Sequence, residues 1–371
     1  MTARFFALGE VAEVRRGTTI TQKQARPGSI PVVAGGMDMA YFHDTANRNG
    51  NVITISGSGA NAGFVNFWEQ PIFASDCSTV EPKIDDLDIR YTYYFLKSKQ
   101  EHINSLRSGA AQPHVYPRDL MPLQIPLPPL SEQRRLVDLL SRAESIVRLR
   151  REAQAKTAEL IPTLFLDMFG DPASNPKGCD VVSFADVIGF TRYGPRFPNR
   201  EYSETLKGGR VLRTTDIKSD GTISADEAPI LPMTDDEIER YSLEPNTIVI
   251  TRTGATIGKV ALYEHSEEPA VAGAYLIEVR LSERVLPQYI LNLLMSSYGQ
   301  QRLTSGARAV AQPNLNVPTI TAIPTPIPPI ELQRRFAAKV EAVRAITTQQ
   351  AAALATAQAT FDALLHRSFQ K

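Results

Sequence analysis

Apolar residues fall into two textures that alternate along the chain. Short runs rich in β-branched residues, such as Val52-Ile53-Thr54-Ile55, Gly63-Phe64-Val65-Asn66-Phe67 and Thr247-Ile248-Val249-Ile250, stand between clusters of Gly, Asn, Asp and Pro. They predict strands closed by turns in a mixed α/β globule. Two longer stretches, Tyr91 to Leu106 and Pro287 to Leu303, predict helices within the same globules. Past a proline-rich block the texture turns helical. Ser131 reads as an N-cap and Glu132 lies in the first turn, where the helix dipole favours a negative charge.

From there Leu136, Leu140, Ala143, Val147, Arg150, Gln154, Thr157, Ile161, Leu164 and Met168 step by four and three. The same register, 200 residues on, gives Phe336, Val340, Val343, Thr347, Gln350, Leu354, Ala357, Phe361, Leu364 and Ser368. Four-three spacing is the seam of a coiled coil, here with apolar ends and a polar middle. The expected pairing residues are Leu136, Leu140, Val147, Ile161 and Leu164 with Phe336, Val340, Val343, Leu354, Phe361 and Leu364. Two amphipathic helices, each packed on its own globule, would show the same spacing. Pro162 predicts a kink or restart. The roughly 30 residues before it would span about 45 Å.

That second copy is part of a larger repeat. Pro126-Leu127-Pro128-Pro129-Leu130-Ser131-Glu132-Gln133-Arg134-Arg135-Leu136 returns as Pro326-Ile327-Pro328-Pro329-Ile330-Glu331-Leu332-Gln333-Arg334-Arg335-Phe336. Gln112-Pro113 returns as Gln312-Pro313 at the same offset, and Ile55 to Val65 resembles Ile250 to Val260 at an offset of 195. Leu8-Gly9-Glu10-Val11 resembles Phe184-Ala185-Asp186-Val187 at 176. The unit is domain-sized, so the chain reads as two copies of one module. The offset drifts early in the unit, as surface loops permit, and locks late.

Bulk properties narrow the class. At 371 residues, two domains with connectors are expected. Cys77 and Cys179 are too few for a disulfide framework or a zinc cage. The chain opens Met1-Thr2-Ala3-Arg4 without an apolar run, and no stretch approaches the roughly 20 apolar residues of a membrane span. A cytoplasmic protein without a membrane partner is expected. Forty basic residues balance forty acidic ones, so any phosphate-binding surface must be a local patch.

Two variable globules, each followed by the Pro-Leu-Pro-Pro-Leu-Ser-Glu-Gln-like block and a long helix, resemble the specificity subunit of type I restriction–modification systems. The run Leu164-Phe165-Leu166-Asp167-Met168-Phe169-Gly170-Asp171-Pro172 resembles that family's central region. The resemblance implies an α/β (α+β) protein with two similar target-recognition domains, separated by two long antiparallel helices forming a coiled coil, in a pseudo-twofold repeat. The C-terminal helix would return to the first domain. The segments expected are residues 1–130, 131–170, 171–330 and 331–371. The resemblance further implies that each domain reads half of a split double-stranded DNA site and that the helices dock two methyltransferase subunits. A restriction subunit can join them. This chain would hold no cofactor and catalyse nothing. S-adenosylmethionine would sit on the methyltransferase, and ATP with magnesium on the restriction subunit.

DNA-contact candidates are basic and amide residues in Gly/Thr-rich stretches, where backbone can approach phosphate and side chains can reach base edges. In the first copy these are Arg15, Arg16, Thr18, Lys23, Asn61, Gln112 and His114. In the second they are Arg192, Tyr193, Arg213, Arg252, Lys259, Gln312, Asn314 and Asn316. The alternative for each is a solvated loop residue or a turn partner beside proline. Arg134-Arg135 and Arg334-Arg335 are expected to project from a first helical turn into solvent or toward a partner.

Enzyme readings find little footing. Gly254-Ala255-Thr256-Ile257-Gly258-Lys259-Val260 has three residues between its glycines where a phosphate loop has four, and Val where Ser or Thr would hold magnesium. His43, His102, His114, His265 and His366 lack metal-ligand spacing. Neither an Asn-Pro-Pro-Tyr nor an Asp-Pro-Pro-Tyr run is present. No catalytic or metal-binding residue is assigned. The competing reading is a protein-interaction scaffold without DNA readout.

Overall fold

The computed structural model describes residues 4–109, 112–197, 200–203, 208–305 and 314–370. The chain forms two compact units, Met1–Arg151 with Ala352–Lys371, and Glu152–Ala351. Each unit therefore takes in parts of both long helices.

The first unit contains β1 (Arg4–Ala7), β2 (Ala12–Arg16), β3 (Ile30–Val33), β4 (Met39–His43), β5 (Val52–Ser56), β6 (Val65–Trp68), β7 (Phe73–Ala74), β8 (Cys77–Pro82) and β9 (Gln124–Leu127). They form three small sheets, ordered β2-β8-β5-β6, β4-β3-β7 and β1-β9. Pairing is antiparallel except between β3 and β7. Central β5 is buried on both faces, which is why its sequence is a continuous run, Val-Ile-Thr-Ile-Ser, without alternation. Against this core packs α1 (Ile89–Ser98), started by the Asp88 carboxylate accepting from the backbone N–H of Arg90 and Tyr91.

The second unit repeats this plan. Its strands are β10 (Asp180–Ser183), β11 (Ile188–Tyr193), β12 (Gly208–Leu212), β13 (Ile230–Pro232), β14 (Thr247–Thr251), β15 (Val260–Tyr263), β16 (Ala270–Ala272), β17 (Leu276–Leu281) and β18 (Pro324–Ile327). The sheets are β11-β17-β14-β15, β13-β12-β16 and β10-β18, again with one parallel pair, β12 with β16.

The long helices are α2 (Leu130–Ala158), α3 (Leu160–Phe169) and, after Pro287–Met295 (α4) of the second unit, α5 (Ile330–Ser368). Ser131 is not the N-cap. The Pro129 carbonyl accepts from the N–H groups of Glu132 and Gln133 at 2.9 and 3.1 Å, so the cap position is Pro129, two residues earlier, and Ser131 lies inside the first turn. The break foreseen at Pro162 falls at Glu159, which leaves Pro162 in the first turn of α3, where a missing N–H loses no intrahelical bond. The two shorter helices are also divided. Tyr91–Leu106 splits after Ser98. Pro287–Leu303 splits at Ser296, whose hydroxyl caps Gly299.

Within the first unit α2 and the end of α5 pair and share one core with the globule. Leu140, Val147, Phe361, Leu365 and Phe369 are buried with Tyr91, Tyr94 and Phe95, and Leu136, Leu354 and Leu364 pack on them. Arg151 donates to Gln358 at 2.8 Å. Phe369 lies 5.3 Å from Tyr91, whose hydroxyl binds the Pro126 carbonyl just ahead of α2. Rising numbers in one helix therefore meet falling numbers in the other, an antiparallel pair. In the second unit Phe165, Phe169, Tyr289, Phe336 and Val340 form the matching core, with Ile161 and Leu164 against it, and Val343 is buried as well. The expected pairing positions are thus core positions, and Phe165, Phe169, Leu365 and Phe369, outside the four-three register, join them. Among the described residues no helix is long and apolar enough to cross a membrane.

Candidate nucleic-acid interface

Each unit carries the same backbone joint, where the ends of its central strands meet the loop that follows its helices. In the first unit Gly17 N–H donates to the Cys77 carbonyl at 2.8 Å, Gly57 to Asp76 at 2.9 Å and Val115 to Gly57 at 3.1 Å. In the second, Gly194 donates to Leu276 at 3.0 Å, Arg252 to Tyr275 at 2.9 Å and Leu315 to Arg252 at 2.8 Å. Bridges Ser58–His114 and Thr253–Asn314 complete the match. Gly59 and Gly63 have φ of +81° and +87°, Gly254 and Gly258 +83° and +82°. The Gly-x-x-x-Gly shared by both copies is thus a left-handed turn requirement of this joint.

The backbone is shared but the side chains mounted on it are not. Position by position, Arg16 faces the role of Tyr193, Gly57 of Arg252, Asp76 of Tyr275, His114 of Asn314 and Tyr116 of Asn316.

In the first unit Arg16 is 3.4 Å from Asp76 and lies over the Tyr116 ring at 5.6 Å. Asp76 also accepts from the Ser58 hydroxyl. His114 stacks on Tyr116 at 5.7 Å, and its Nδ1 is buried with no partner among the described residues. Thr18, Lys23 and Gln112 are exposed, and Asn61 lies half-buried in the glycine turn. Arg15 instead pairs with Glu81 at 2.8 Å and Glu13 at 3.5 Å, which raises its pKa through the Glu81 hydrogen bond.

Several second-unit candidates turn out to hold the fold. The Arg192 guanidinium is spent on buried Glu278 at 2.5 Å and on the carbonyls of Arg240 and Tyr241. Arg213 forms a fork with Asp216 at 2.8 and 3.1 Å. Lys259 donates to the Ile217 carbonyl at 3.2 Å, and Asn316 caps a short helix by accepting from Thr319 N–H at 2.9 Å. The sequence patterns could not separate these from exposed candidates, because their hydrogen-bond partners lie far off in sequence or on turns it does not specify. Gln312 lies outside the described residues. Arg252, Tyr193 and Asn314 do come together. Arg252 sits 4.3 Å over the Tyr193 ring and donates to Asn314 Oδ1 at 3.3 Å. Beside them opens a cleft of about 750 Å³ whose lining includes Arg196, Tyr202, Arg213 and Tyr275. The exposed tyrosines Tyr202 and Tyr275 were not foreseen. Tyr202 stands alone among polar residues, and Tyr275 among small and apolar ones just ahead of β17, so neither gave a periodic signal.

The helix-start arginines are surface residues. Arg135 pairs with Glu132 at 2.7 Å and Arg334 with Glu331. Among the described residues no group of three or more His, Cys, Asp or Glu side chains could hold a metal ion.

Comparison with known proteins agrees with this architecture. A curated relative, the MjaVIII specificity subunit of Methanocaldococcus jannaschii, is 25% identical over 317 residues, covering 80% of this chain and 72% of its own. The EcoKI specificity subunit of Escherichia coli is 21% identical over 67% of this chain and 57% of its own. Among solved structures, the S subunit of a type I system from M. genitalium covers 100% of this chain and 99% of its own, with a TM-score of 0.58 at 19% identity. A chain from work on assembly and conformational transition of the type I system reaches 0.62 at 18% identity, covering 99% of this chain and 97% of its own. At such identities these likenesses establish the fold. The family model of the type I restriction modification DNA specificity domain matches residues 2–157 and again 190–356. With those two stretches lying over the repeated strands and joints just described, the chain belongs to the family of type I restriction modification DNA specificity domains.

Proposed function

We propose that the protein is the DNA-recognition subunit of a type I restriction–modification complex, each unit reading one half of a bipartite site. The observation that carries this reading is one backbone joint presented twice with different side chains. A fixed frame with exchanged side chains suits two short, unlike targets. Each correct base is worth about 1–3 kcal/mol, so one unit alone discriminates weakly and two linked units multiply their selectivity.

The long helices act as spacer and as docking platform for methyltransferase subunits. An apolar stripe supports the second role: Leu139, Ile146 and Leu149 on α2 are 39%, 52% and 55% exposed. Methylation and cleavage chemistry then belong to the partners, with S-adenosylmethionine on the methyltransferase and ATP with magnesium on any restriction subunit. The chain's balanced charge leaves no surplus to hold phosphate. The isolated chain should therefore bind DNA weakly, and tightly only once partners close on the duplex.

The test is co-expression with the genomically neighbouring methyltransferase in a host lacking adenine methylation, followed by mapping of modified adenines. A split motif with a fixed gap, one half changing when one unit's joint is exchanged, supports the proposal. Methylation that ignores this chain would leave the scaffold reading in its place.

A further inference from the structure

Among the described residues, the arginines of the second unit that lie on its strands and their flanking turns often meet a carboxylate. Arg200 pairs with Glu237, Arg210 with Glu268, Arg213 with Asp216, and Arg192 and Arg280 with Glu278. Arg252, at the centre of the joint, meets none among the described residues. Its backbone, its ring-facing side and its Nε are nevertheless held. Its N–H is held by the Tyr275 carbonyl and its own carbonyl by Leu315 N–H. Its guanidinium lies on the Tyr193 ring and its Nε donates to Asn314 Oδ1. The two terminal nitrogens, and the Asn314 amide nitrogen, have no partner among the described residues.

Such a group is a planar, charged fork held in advance of its ligand. The ligand it fits presents two acceptors side by side, either the N7 and O6 of guanine or two oxygens of a phosphate. A phosphate accepts from a wide range of directions, and a mobile surface lysine satisfies it. Clamping an arginine by stack, amide and backbone has a use where direction must be exact to within a base edge. We infer that Arg252, positioned by Tyr193 and Asn314, reads a guanine in the half-site taken by the second unit. The first unit has no counterpart, since Gly57 occupies the equivalent position and nearby Arg16 faces Asp76 at 3.4 Å. This inference rests on the DNA-reading role proposed above.

The experiment uses the full chain in complex with its methyltransferase, comparing wild type, Arg252→Ala and Arg252→Lys by methylation mapping. The purified wild-type complex is also tested for binding to its site carrying 7-deazaguanine. The expected wild-type motif has a guanine in one half, and both variants relax that position by roughly 10- to 100-fold while the other half is kept. Lysine keeps the charge but not the fork, so it guards against a variant that merely unfolds. Removing N7 from that guanine should weaken wild-type binding to a similar degree. An unchanged motif with uniformly weaker binding and a salt slope smaller by about one would make Arg252 a phosphate contact and overturn the inference alone. A wild-type motif without guanine in the affected half would also overturn it. Methylation independent of this chain would instead remove the DNA-reading role itself.

Discussion

The side chain of Gln133 accepts a hydrogen bond from Asp88 N–H at 2.8 Å and so ties the first turn of α2 to the start of α1. Its amide nitrogen donates to the carbonyls of Asp86 and Pro128 at 2.7 and 2.9 Å. Gln333 repeats the arrangement with Leu286 N–H at 2.8 Å and the Pro328 carbonyl at 2.9 Å. Both side chains are fully buried. Gln133→Leu keeps the volume but removes the partner of the Asp88 N–H and of the Asp86 and Pro128 carbonyls, Asp86 being an exposed residue whose carbonyl water can satisfy. Each stranded buried group costs about 1–3 kcal/mol, so a loss of roughly 2–4 kcal/mol is expected. Urea unfolding checks it, and Gln333→Leu should be nearly as damaging. A change under about 0.5 kcal/mol would mean that relaxation re-pairs these groups.

That clasp also marks how far the sequence could be read. The repeated Pro-Pro-x-x-x-Gln-Arg-Arg block announced two copies of a module, and the four-three spacing announced the helix seam. What the glutamine does stayed hidden, because its partners Asp86 and Asp88 lie some 45 residues upstream in a loop with no periodic signal. For the candidate interface the sequence offered stretches but could not rank the residues within them. Arg192 and Arg252 occupy similar Gly/Thr-rich contexts, yet one is consumed by buried Glu278 and the other keeps its fork. Only the fold decides which carboxylate reaches which arginine.

Glu144 gives the first unit an acid-sensitive joint. Its carboxylate accepts from Lys97 at 2.5 Å and from the hydroxyls of Tyr93 and Tyr94 at 3.1 and 3.0 Å, next to Phe361. Burial pushes its pKa up, but Lys97 and the two hydroxyls outweigh this and leave it below the ordinary glutamate value. A depressed carboxylate pKa adds stability above the unfolded value, about 4.3, and that contribution is lost as pH falls through the folded one. Acid unfolding of Glu144→Gln should therefore show a shallower decline with falling pH below about 5 than wild type, from a lower starting stability at neutral pH. Parallel curves for the two proteins would show that Glu144 is not what the acid titrates.

The exposed stripe on α2 should bind the partner rather than stabilise the chain. Leu139, Ile146 and Leu149 follow a seven-then-three spacing that suits a further helix. Replacing Ile146 and Leu149 with serine should leave the melting temperature of the isolated chain nearly unchanged, since exposed sites rarely matter by more than about 0.5 kcal/mol. Methyltransferase binding by calorimetry should weaken by tenfold or more. Full binding by the double variant would place the docking face elsewhere.

The last residues of the chain complete the core of its first unit. Phe361, Leu365 and Phe369 are buried against Tyr91, Tyr94, Phe95, Leu140 and Val147, and two of the ring contacts are 5.3 and 5.8 Å between centres. Truncating one buried phenylalanine typically costs about 3–5 kcal/mol, against a whole-domain stability of about 5–15 kcal/mol. A chain ending at Ala351 loses all three residues and should lose the first unit, although that unit's strands lie at the opposite end of the sequence. Hydrogen exchange read by mass spectrometry should show β5, β8 and α1 unprotected while β14 and β17 keep their protection. The matching substitution Phe165→Ala should reverse the pattern, loosening the second unit and sparing the first. If removal of residues 352–371 left α1 as protected as before, the C-terminal helix would be an appendage of the first unit and not part of its core.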